Sequence, residues 1–151
     1  MRSPIEHELD ELYREVILDH YRNPRNPDLV ADAQIKAEGF NPFCGDQVSL
    51  QIKLNGNGII ESVGLQGGGC SISQASASML TELLKGKTLD EAEAASASFR
   101  RLMHGDPVDR ADLEALGNLE ALAGVRKFPI RIKCALLSWA ALEEGIEKYR
   151  R

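Results

Sequence analysis

The sequence has few cysteines and no long apolar run, and both shortages exclude whole classes of protein. Its 151 residues include only three cysteines. An odd number cannot close into a complete disulfide framework, so each thiol is spare, buried, reactive or a metal ligand. No apolar run approaches the roughly 18 residues of a transmembrane helix, and residues 1–10 are too polar and acidic for a signal peptide. We therefore expect a cytoplasmic protein without a membrane partner.

Clusters of positive charge and phosphate-binding motifs are also missing. The chain has 18 basic and 23 acidic side chains, a net charge of −5 and a pI near 5.2. With no long run of lysine and arginine, this balance argues against DNA, RNA or anionic lipid as the main partner. The glycines at 67–69 lack the following lysine of a phosphate-binding loop, so the sequence does not support nucleotide binding.

The chain shows no internal repeat, low-complexity tract or long linker, so we expect one domain over residues 1–151. Apolar residues at helical spacing predict helices over 8–21, 71–84, 88–102 and 130–149, with short helical pieces at 109–116 and 119–122. Thr88 and Glu91 form a candidate capping box. A weak strand near 34–37 precedes a loop over 39–46, and alternating residues predict a hairpin with arms at 47–54 and 59–65. This order of elements predicts an α+β fold.

Each cysteine falls at the boundary of a predicted element. Cys44 lies in the loop over 39–46, Cys70 lies between a strand and a helix, and Cys134 lies in the first turn of the last helix. They are 26 and 64 positions apart, so no CxxC pair signals a zinc finger. At such boundaries a side chain can point outward, and a helix start lowers a thiol pKa. We therefore expect thiolates that can bind a metal.

Asp46 follows Cys44 by two residues and can supply a fourth ligand. Three sulfur atoms and one oxygen suit tetrahedral Zn²⁺, and the oxygen leaves one exchangeable position. Arg131 and Lys133 could partly offset the negative charge of such a site. Simpler interpretations remain open at this point: buried apolar cysteines, a turn aspartate and a solvated helix start. His20 is expected to be packed or hydrogen-bonded rather than a ligand.

Three sequence blocks resemble the IscU/NifU N-terminal-domain family of iron–sulfur cluster assembly proteins, and the match spans nearly the whole chain. The blocks are Asn41-Pro42-Phe43-Cys44-Gly45-Asp46, Gly68-Gly69-Cys70-Ser71-Ile72-Ser73-Gln74-Ala75-Ser76-Ala77-Ser78-Met79 and Arg131-Ile132-Lys133-Cys134-Ala135-Leu136-Leu137. The resemblance implies a small antiparallel three-stranded sheet packed by helices. It also places Cys44, Asp46, Cys70 and Cys134 at the family's metal or cluster ligand positions.

Two departures from the IscU type indicate the SufU-like branch of this family. IscU-type scaffolds carry a histidine before the last cysteine and a Leu-Pro-Pro-Val-Lys docking motif, whereas this chain has Lys133 and the sequence Phe128-Pro129-Ile130-Arg131-Ile132-Lys133. The gap between Cys70 and Cys134 is also longer, which predicts a helical insertion at about 94–122. Similarity to the SufU-like branch implies bound Zn²⁺, a SufS-type cysteine desulfurase as partner and downstream SUF assembly proteins as recipients.

The resemblance also implies a mechanism centred on Cys44. As a thiolate, Cys44 would attack the desulfurase persulfide and carry the sulfur away, after leaving the zinc ion and being replaced there by a desulfurase histidine. We assign Cys44 because its loop is expected to be more mobile than the helix that carries Cys134. Arg131 is the candidate for the partner contact or for charge compensation. Two alternatives remain: a scaffold that transiently holds a [2Fe–2S] or [4Fe–4S] cluster, and a purely structural zinc site.

Overall fold

A three-stranded antiparallel sheet with five α-helices makes up the fold. The computed structural model describes residues 4–151, with helical backbone alone at 4–10 and 12. The helix α1 (Pro4–Arg22) precedes the strands β1 (Ile35–Asn41), β2 (Asp46–Leu54) and β3 (Ile60–Gly68), which pair in the order β1-β2-β3. The helices α2 (Ser71–Leu84), α3 (Leu89–His104) and α4 (Arg110–Leu116), a 3-10 segment (Gly117–Lys127) and α5 (Pro129–Arg150) follow. The predicted α+β fold with a small antiparallel sheet is confirmed.

The core lies between the sheet and the helices α2 and α5. In β2 the alternate residues Val48, Leu50, Ile52 and Leu54 are buried, as the alternating pattern predicts. Helix α5 packs against β1 and β2 and also contacts α2. Its Gly145 permits close packing, since a Cβ there would lie 3.0 Å from the Cγ2 atom of Ile35. The fold therefore holds α5 firmly across the strands that lead to Cys44.

The first hairpin differs from its prediction, because half of the expected loop over 39–46 is strand. Strand β1 continues to Asn41, which pairs with Asp46 at the start of β2. Only residues 42–45 form the turn, in which Gly45 takes the left-handed conformation at a φ of 69°. The local composition wrongly indicated a loop, because Gly39 is a strand residue that packs closely against α5. A Cβ on Gly39 would lie 3.1 Å from the Cδ1 atom of Leu137. Cys44 is thus on a tight turn rather than in an extended loop.

The capping box predicted for the third helix is confirmed. Thr88 is the N-cap of α3; its hydroxyl accepts a hydrogen bond from the Glu91 N–H at 3.1 Å, and the Glu91 carboxylate accepts one from the Thr88 N–H. We expect Thr88→Ala to lower the free energy of unfolding by about 1 kcal/mol, since a helix N–H loses its acceptor. Urea denaturation tests this, with Thr88→Ser as the control that keeps the cap. Equal losses in both variants would contradict it.

His20 is packed and hydrogen-bonded, as the sequence predicts. Its Nδ1 lies 2.8 Å from the Ser78 Oγ, and its Nε2 lies 3.3 Å from a Glu82 oxygen. The Ser78 hydroxyl also accepts a hydrogen bond from the Arg25 N–H at 2.9 Å. Burial lowers the pKa of His20, and Arg25 lowers it further against the opposing attraction of Glu82 and Asp19. The end of α1 is therefore fastened to α2 through a neutral imidazole.

This depressed pKa predicts an acid-sensitive fold. Below about pH 6.5 the unfolded chain gains a proton on His20 that the folded chain does not, so stability falls as the pH is lowered. We expect His20→Gln to be less stable at pH 7.5 but to show a flatter decline between about pH 6.5 and pH 5. Urea denaturation over this pH range measures both slopes. Parallel curves for the two proteins would contradict the assignment to His20.

The remaining helical predictions agree with the structure in type and approximate extent. The helical insertion predicted at 94–122 falls on the second half of α3, on α4 and on the start of the 3-10 segment, and it remains a prediction. Within the described part of the chain, no helix combines the length and the apolar character that a bilayer crossing requires.

Candidate metal centre

Three side chains that can bind a metal converge at one end of the sheet. The ligand atoms of Cys44, Asp46 and Cys134 all lie within 4.8 Å of one another. Cys44 comes from the turn between β1 and β2, Asp46 is the first residue of β2, and Cys134 comes from α5. The Sγ atoms of Cys44 and Cys134 are 3.4 Å apart. Elements distant in sequence thus build one compact cluster.

Cys70 adjoins this cluster through Asp46. It is the N-cap residue of α2, with extended backbone angles. Its N–H donates a hydrogen bond of 2.7 Å to one Asp46 carboxylate oxygen, and its Sγ lies 3.7 Å from the other. The structure therefore brings together Cys44, Asp46 and Cys134 directly and places Cys70 against the Asp46 carboxylate. All four predicted ligands meet around Asp46.

Gly69 makes this close approach of β2 and α2 feasible. Its φ is 138°, a conformation that residues with a Cβ rarely adopt. A Cβ at this position would lie 2.7 Å from the Asp46 Cα, a distance that backbone atoms cannot tolerate. The neighbouring pair Gln47↔Gly68 holds Asp46 in the sheet, so moving the aspartate away would disturb the pairing of β2 with β3. The glycine run at 67–69 therefore allows the Asp46 carboxylate to approach the start of α2.

The cluster is buried on one side and partly exposed on the other. Asp46 and Cys134 are fully buried, whereas Cys44 and Cys70 are half-buried. Burial raises the pKa of the Cys134 thiol, and contacts with Cys44, Asp46 and Cys70 raise it further. The expectation that Cys134 points outward with a lowered pKa is wrong, since α5 begins at Pro129 and the thiol lies in its second turn, away from the helix start.

Of the two cations near Cys134, only Arg131 contacts a thiol. Its Nη1 lies 3.8 Å from the Cys44 Sγ. The pKa of Arg131 is raised, chiefly by a hydrogen bond to Cys134 and also by the charges of the three nearby cysteines. Lys133 instead places its Nζ 5.5 Å from the centre of the Phe43 ring. Arg131 is therefore the one of these two cations that lies beside Cys44, and its predicted roles, the partner contact or charge compensation, stay predictions.

The sequence reasoning missed Asn41 as a site residue. This buried side chain donates a hydrogen bond from its Nδ2 to the Cys134 Sγ at 3.6 Å, while its Oδ1 accepts one from the Phe43 N–H at 3.2 Å. Asparagine at the start of a turn often accepts a hydrogen bond from the backbone N–H two residues later. The Asn41-Pro42 pair in the sequence therefore indicated this turn. Asn41 links the Cys44 turn to the thiol of α5.

Three exposed apolar side chains, named here the apolar rim, belong to the two segments that carry Cys44 and Cys134: Phe43 is 82% exposed, Phe128 is 61% exposed and Ile130 is 70% exposed. Phe43 precedes Cys44 in the turn, and the Ile130 carbonyl lies 3.9 Å from the Cys134 Sγ. No periodicity in the sequence identifies this rim, because its members come from a turn and from the first residues of a helix. Clustered exposed apolar groups of this kind mark interaction surfaces.

The donor set fits a zinc ion. Thiolates and a carboxylate are ligands that Zn²⁺ accepts, and four ligands complete its tetrahedral shell. Burial and the neighbouring groups of the cluster raise the pKa of the Cys134 thiol, so its thiolate is disfavoured when no cation is near. A divalent cation reverses this effect because it favours the deprotonated thiols.

The chain shows extensive similarity to proteins of iron–sulfur cluster assembly. Residues 12–135 match the family model of the NifU-like N terminal domain. The zinc-dependent sulfurtransferase SufU of Bacillus subtilis (strain 168) is 51% identical over 140 residues, which cover 93% of this chain and 92% of that protein. The iron–sulfur cluster assembly scaffold protein IscU of Streptococcus pyogenes serotype M1 is 40% identical over 140 residues, covering 93% and 86%. A Fervidobacterium islandicum AW-1 structure, described as an iron–sulfur cluster assembly scaffold for the SUF system, aligns with a TM-score of 0.81 at 32% identity, covering 87% of this chain and 94% of that one.

Proposed function

Because the chain belongs to the family of NifU-like N-terminal domains, we propose that it is a zinc-dependent sulfurtransferase of the SUF system for iron–sulfur cluster assembly. It accepts persulfide sulfur from a SufS-type cysteine desulfurase, a pyridoxal-phosphate enzyme, and passes it to downstream SUF assembly proteins. The observation that carries the proposal is Cys44, a half-buried thiol on a tight turn beside Arg131 and the buried cluster. Three free cysteines suit a reducing compartment, so the proposed place of action is the cytoplasm.

Cys44, Asp46, Cys70 and Cys134 are the proposed ligands of Zn²⁺. When bound, the ion lowers the thiol pKa of its ligands and holds the β1–β2 hairpin, the start of α2 and α5 together. Asp46 supplies the hard oxygen, and its bond to the Cys70 N–H fixes the orientation of the carboxylate. Asn41 and Arg131 donate to the sulfur atoms from outside this set.

Cys44 is the proposed sulfur acceptor. A Cys44 thiolate that is not held as a ligand attacks the outer sulfur of the desulfurase persulfide, forming a new sulfur–sulfur bond. The sulfur–sulfur bond within the desulfurase persulfide breaks, and its electron pair stays with the desulfurase cysteine as a thiolate. Cys44 suits this step better than Cys134 because it is half-buried rather than fully buried. Arg131 favours the anionic sulfur before and after transfer.

The apolar rim of Phe43, Phe128 and Ile130 is the proposed contact surface for the desulfurase, since Phe43 precedes Cys44 in its turn and the other two flank the start of α5, where Arg131 contacts the Cys44 Sγ. We expect Phe43→Ser and Ile130→Ser each to raise the protein concentration for half-maximal desulfurase stimulation about fivefold or more, as for a loss of 1–2 kcal/mol at an interface. Leu29→Ser is the matched control, because Leu29 is 64% exposed but lies outside the rim. An equal effect of all three changes would contradict the assigned surface.

Desulfurase turnover tests the proposed function. Alanine formation from cysteine by a SufS-type enzyme is measured with and without the zinc-loaded protein. We expect turnover to rise and a persulfide to appear on Cys44 in the mass spectrum. An intact, zinc-loaded protein that leaves turnover unchanged with several SufS-type enzymes would overturn the proposal.

A cluster scaffold is the second candidate function, favoured by three convergent cysteines and by 40% identity to an IscU scaffold. In that role the same ligands hold a [2Fe–2S] or [4Fe–4S] cluster as cargo. Anaerobic incubation with iron, cysteine and a desulfurase would then produce a sulfide-to-iron charge-transfer spectrum. For the scaffold function, this spectrum must disappear from the protein as it appears in an apo acceptor protein. Metal content alone does not distinguish a scaffold from a sulfurtransferase, because both can contain zinc.

A further inference from the structure

The closest pair of thiols in the cluster suggests a reaction beyond sulfur acceptance. We propose that Cys134 is a resolving thiol: it attacks a persulfide on Cys44, releases the outer sulfur as hydrosulfide and leaves a disulfide between Cys44 and Cys134. This inference rests on the proposed function, because it requires that Cys44 carry sulfur. It turns a carrier of persulfide sulfur into a source of free sulfide.

The geometry singles out this pair among the three cysteines. The Cys134 Sγ lies 3.4 Å from the Cys44 Sγ, the atom that becomes the inner sulfur of the persulfide. Bond formation brings the two atoms about 1.4 Å closer, and Cys44 lies on the turn at 42–45 rather than within a paired strand. The contacts described for the Cys70 Sγ are with the Asp46 carboxylate and with Cys134, not with Cys44. Cys134 is therefore the resident thiol placed against the inner sulfur.

The surroundings of each sulfur separate their roles. Cys134 is fully buried on α5 and receives the Asn41 Nδ2 hydrogen bond, so it approaches from the interior. Cys44 is half-buried, and the exposed Arg131 places a guanidinium group 3.8 Å from its Sγ. The added outer sulfur has room on this exposed side, where the cation stabilises it as a departing anion.

The step balances without an added oxidant. A bond forms between the Cys134 Sγ and the Cys44 Sγ, while the bond between the Cys44 Sγ and the outer sulfur breaks. Cys134, no longer held as a zinc ligand, attacks as a thiolate, and the electron pair leaves with the outer sulfur, which keeps the persulfide proton and departs as HS⁻. The outer sulfur is reduced by two electrons, and the two cysteines are oxidised to the disulfide. A dithiol reductant of the thioredoxin type must then reopen the disulfide for another round.

Persulfide loading without a reductant tests the proposal on the full-length purified protein. Cys44 is loaded either with a desulfurase and cysteine or with inorganic polysulfide, and excess reagent is removed by gel filtration. We expect close to one free sulfide per persulfide, together with a Cys44–Cys134 disulfide in the mass spectrum of the digested protein. Cys134→Ser should retain its persulfide, with sulfide release at least tenfold slower until dithiothreitol is added.

Ser138→Ala is the matched control on the same helix. Ser138 is buried, and its hydroxyl has no hydrogen-bond partner among the residues that the structure describes, so its removal leaves the cluster untouched. This control should release sulfide like the original protein. Disulfide mapping in the unmodified protein provides a test that does not depend on the folding of any variant.

The outcomes separate this inference from the proposed function. The resolving role would be overturned if the persulfide lasted as long in the original protein as in Cys134→Ser. A disulfide from Cys44 to Cys70 or to a second chain would overturn it as well. Sulfide release and the Cys44–Cys134 disulfide after polysulfide loading would support it, even if the desulfurase fails to load Cys44. That last result would overturn the proposed sulfur donor alone.

Discussion

Replacing Cys44 by alanine is expected to reduce desulfurase turnover to the rate of the desulfurase alone. The thiol is the proposed acceptor, and neither an alanine nor the hydroxyl of Cys44→Ser can take up persulfide sulfur. The fold should survive, because Cys44 is half-buried on a turn at the edge of the sheet and packs into none of the core. Alanine production and circular dichroism measure the two effects.

Competition supplies the control for the Cys44 prediction. Because the rim of Phe43, Phe128 and Ile130 is unchanged, the Cys44→Ala protein should still bind the desulfurase and inhibit stimulation by the original protein. Inhibition that increases with the ratio of variant to original protein would separate lost chemistry from lost binding. Full stimulation by Cys44→Ala would show that another residue accepts the sulfur.

Gly69→Ala is expected to lower the free energy of unfolding by about 3 kcal/mol and to reduce zinc binding sharply. A residue with a Cβ is strained at a φ of 138°, and the new atom would lie 2.7 Å from the Asp46 Cα. Either Asp46 or the start of α2 must then move, which separates the proposed ligands Asp46 and Cys70. Urea denaturation and zinc content after dialysis measure the two effects.

Gly68→Ala provides a matched comparison one residue away. A Cβ at Gly68 would meet no heavy atom within 4 Å, so this change should cost less than about 1 kcal/mol and leave zinc content unaffected. Equal losses in both variants would mean that general flexibility of the glycine run matters, rather than the close approach of Gly69 to Asp46.

Local sequence signals predicted the parts of the fold that neighbouring residues determine. Alternation in β2 and the Thr88 capping box depend on residues a few positions apart, and both are found as predicted. The family resemblance predicted that Cys44, Asp46, Cys70 and Cys134 lie together, and the structure has them around Asp46, whereas their binding of a metal stays a prediction. Patterns of this kind need no knowledge of how distant elements pack.

Long-range packing explains what the sequence could not show. The sequence did not predict that β1 extends to Asn41, because Gly39 packs against Leu137. This contact is with a helix residue nearly one hundred positions later in the chain. The burial of Cys134 and its bond to Asn41 likewise arise from the placement of α5 on β1 and β2. These features depend on tertiary contacts that override local composition.

The late position of α5 in the chain has a consequence for biosynthesis. Cys134 meets Cys44 across 90 residues of sequence, so the cluster cannot exist until α5 has been made and has docked. At translation rates of about 5–20 residues per second, Cys44 waits roughly 5–18 s for its partner. During that interval a nascent chain offers an incomplete ligand set, and metal capture by the finished cluster is delayed until nearly the whole domain has left the ribosome.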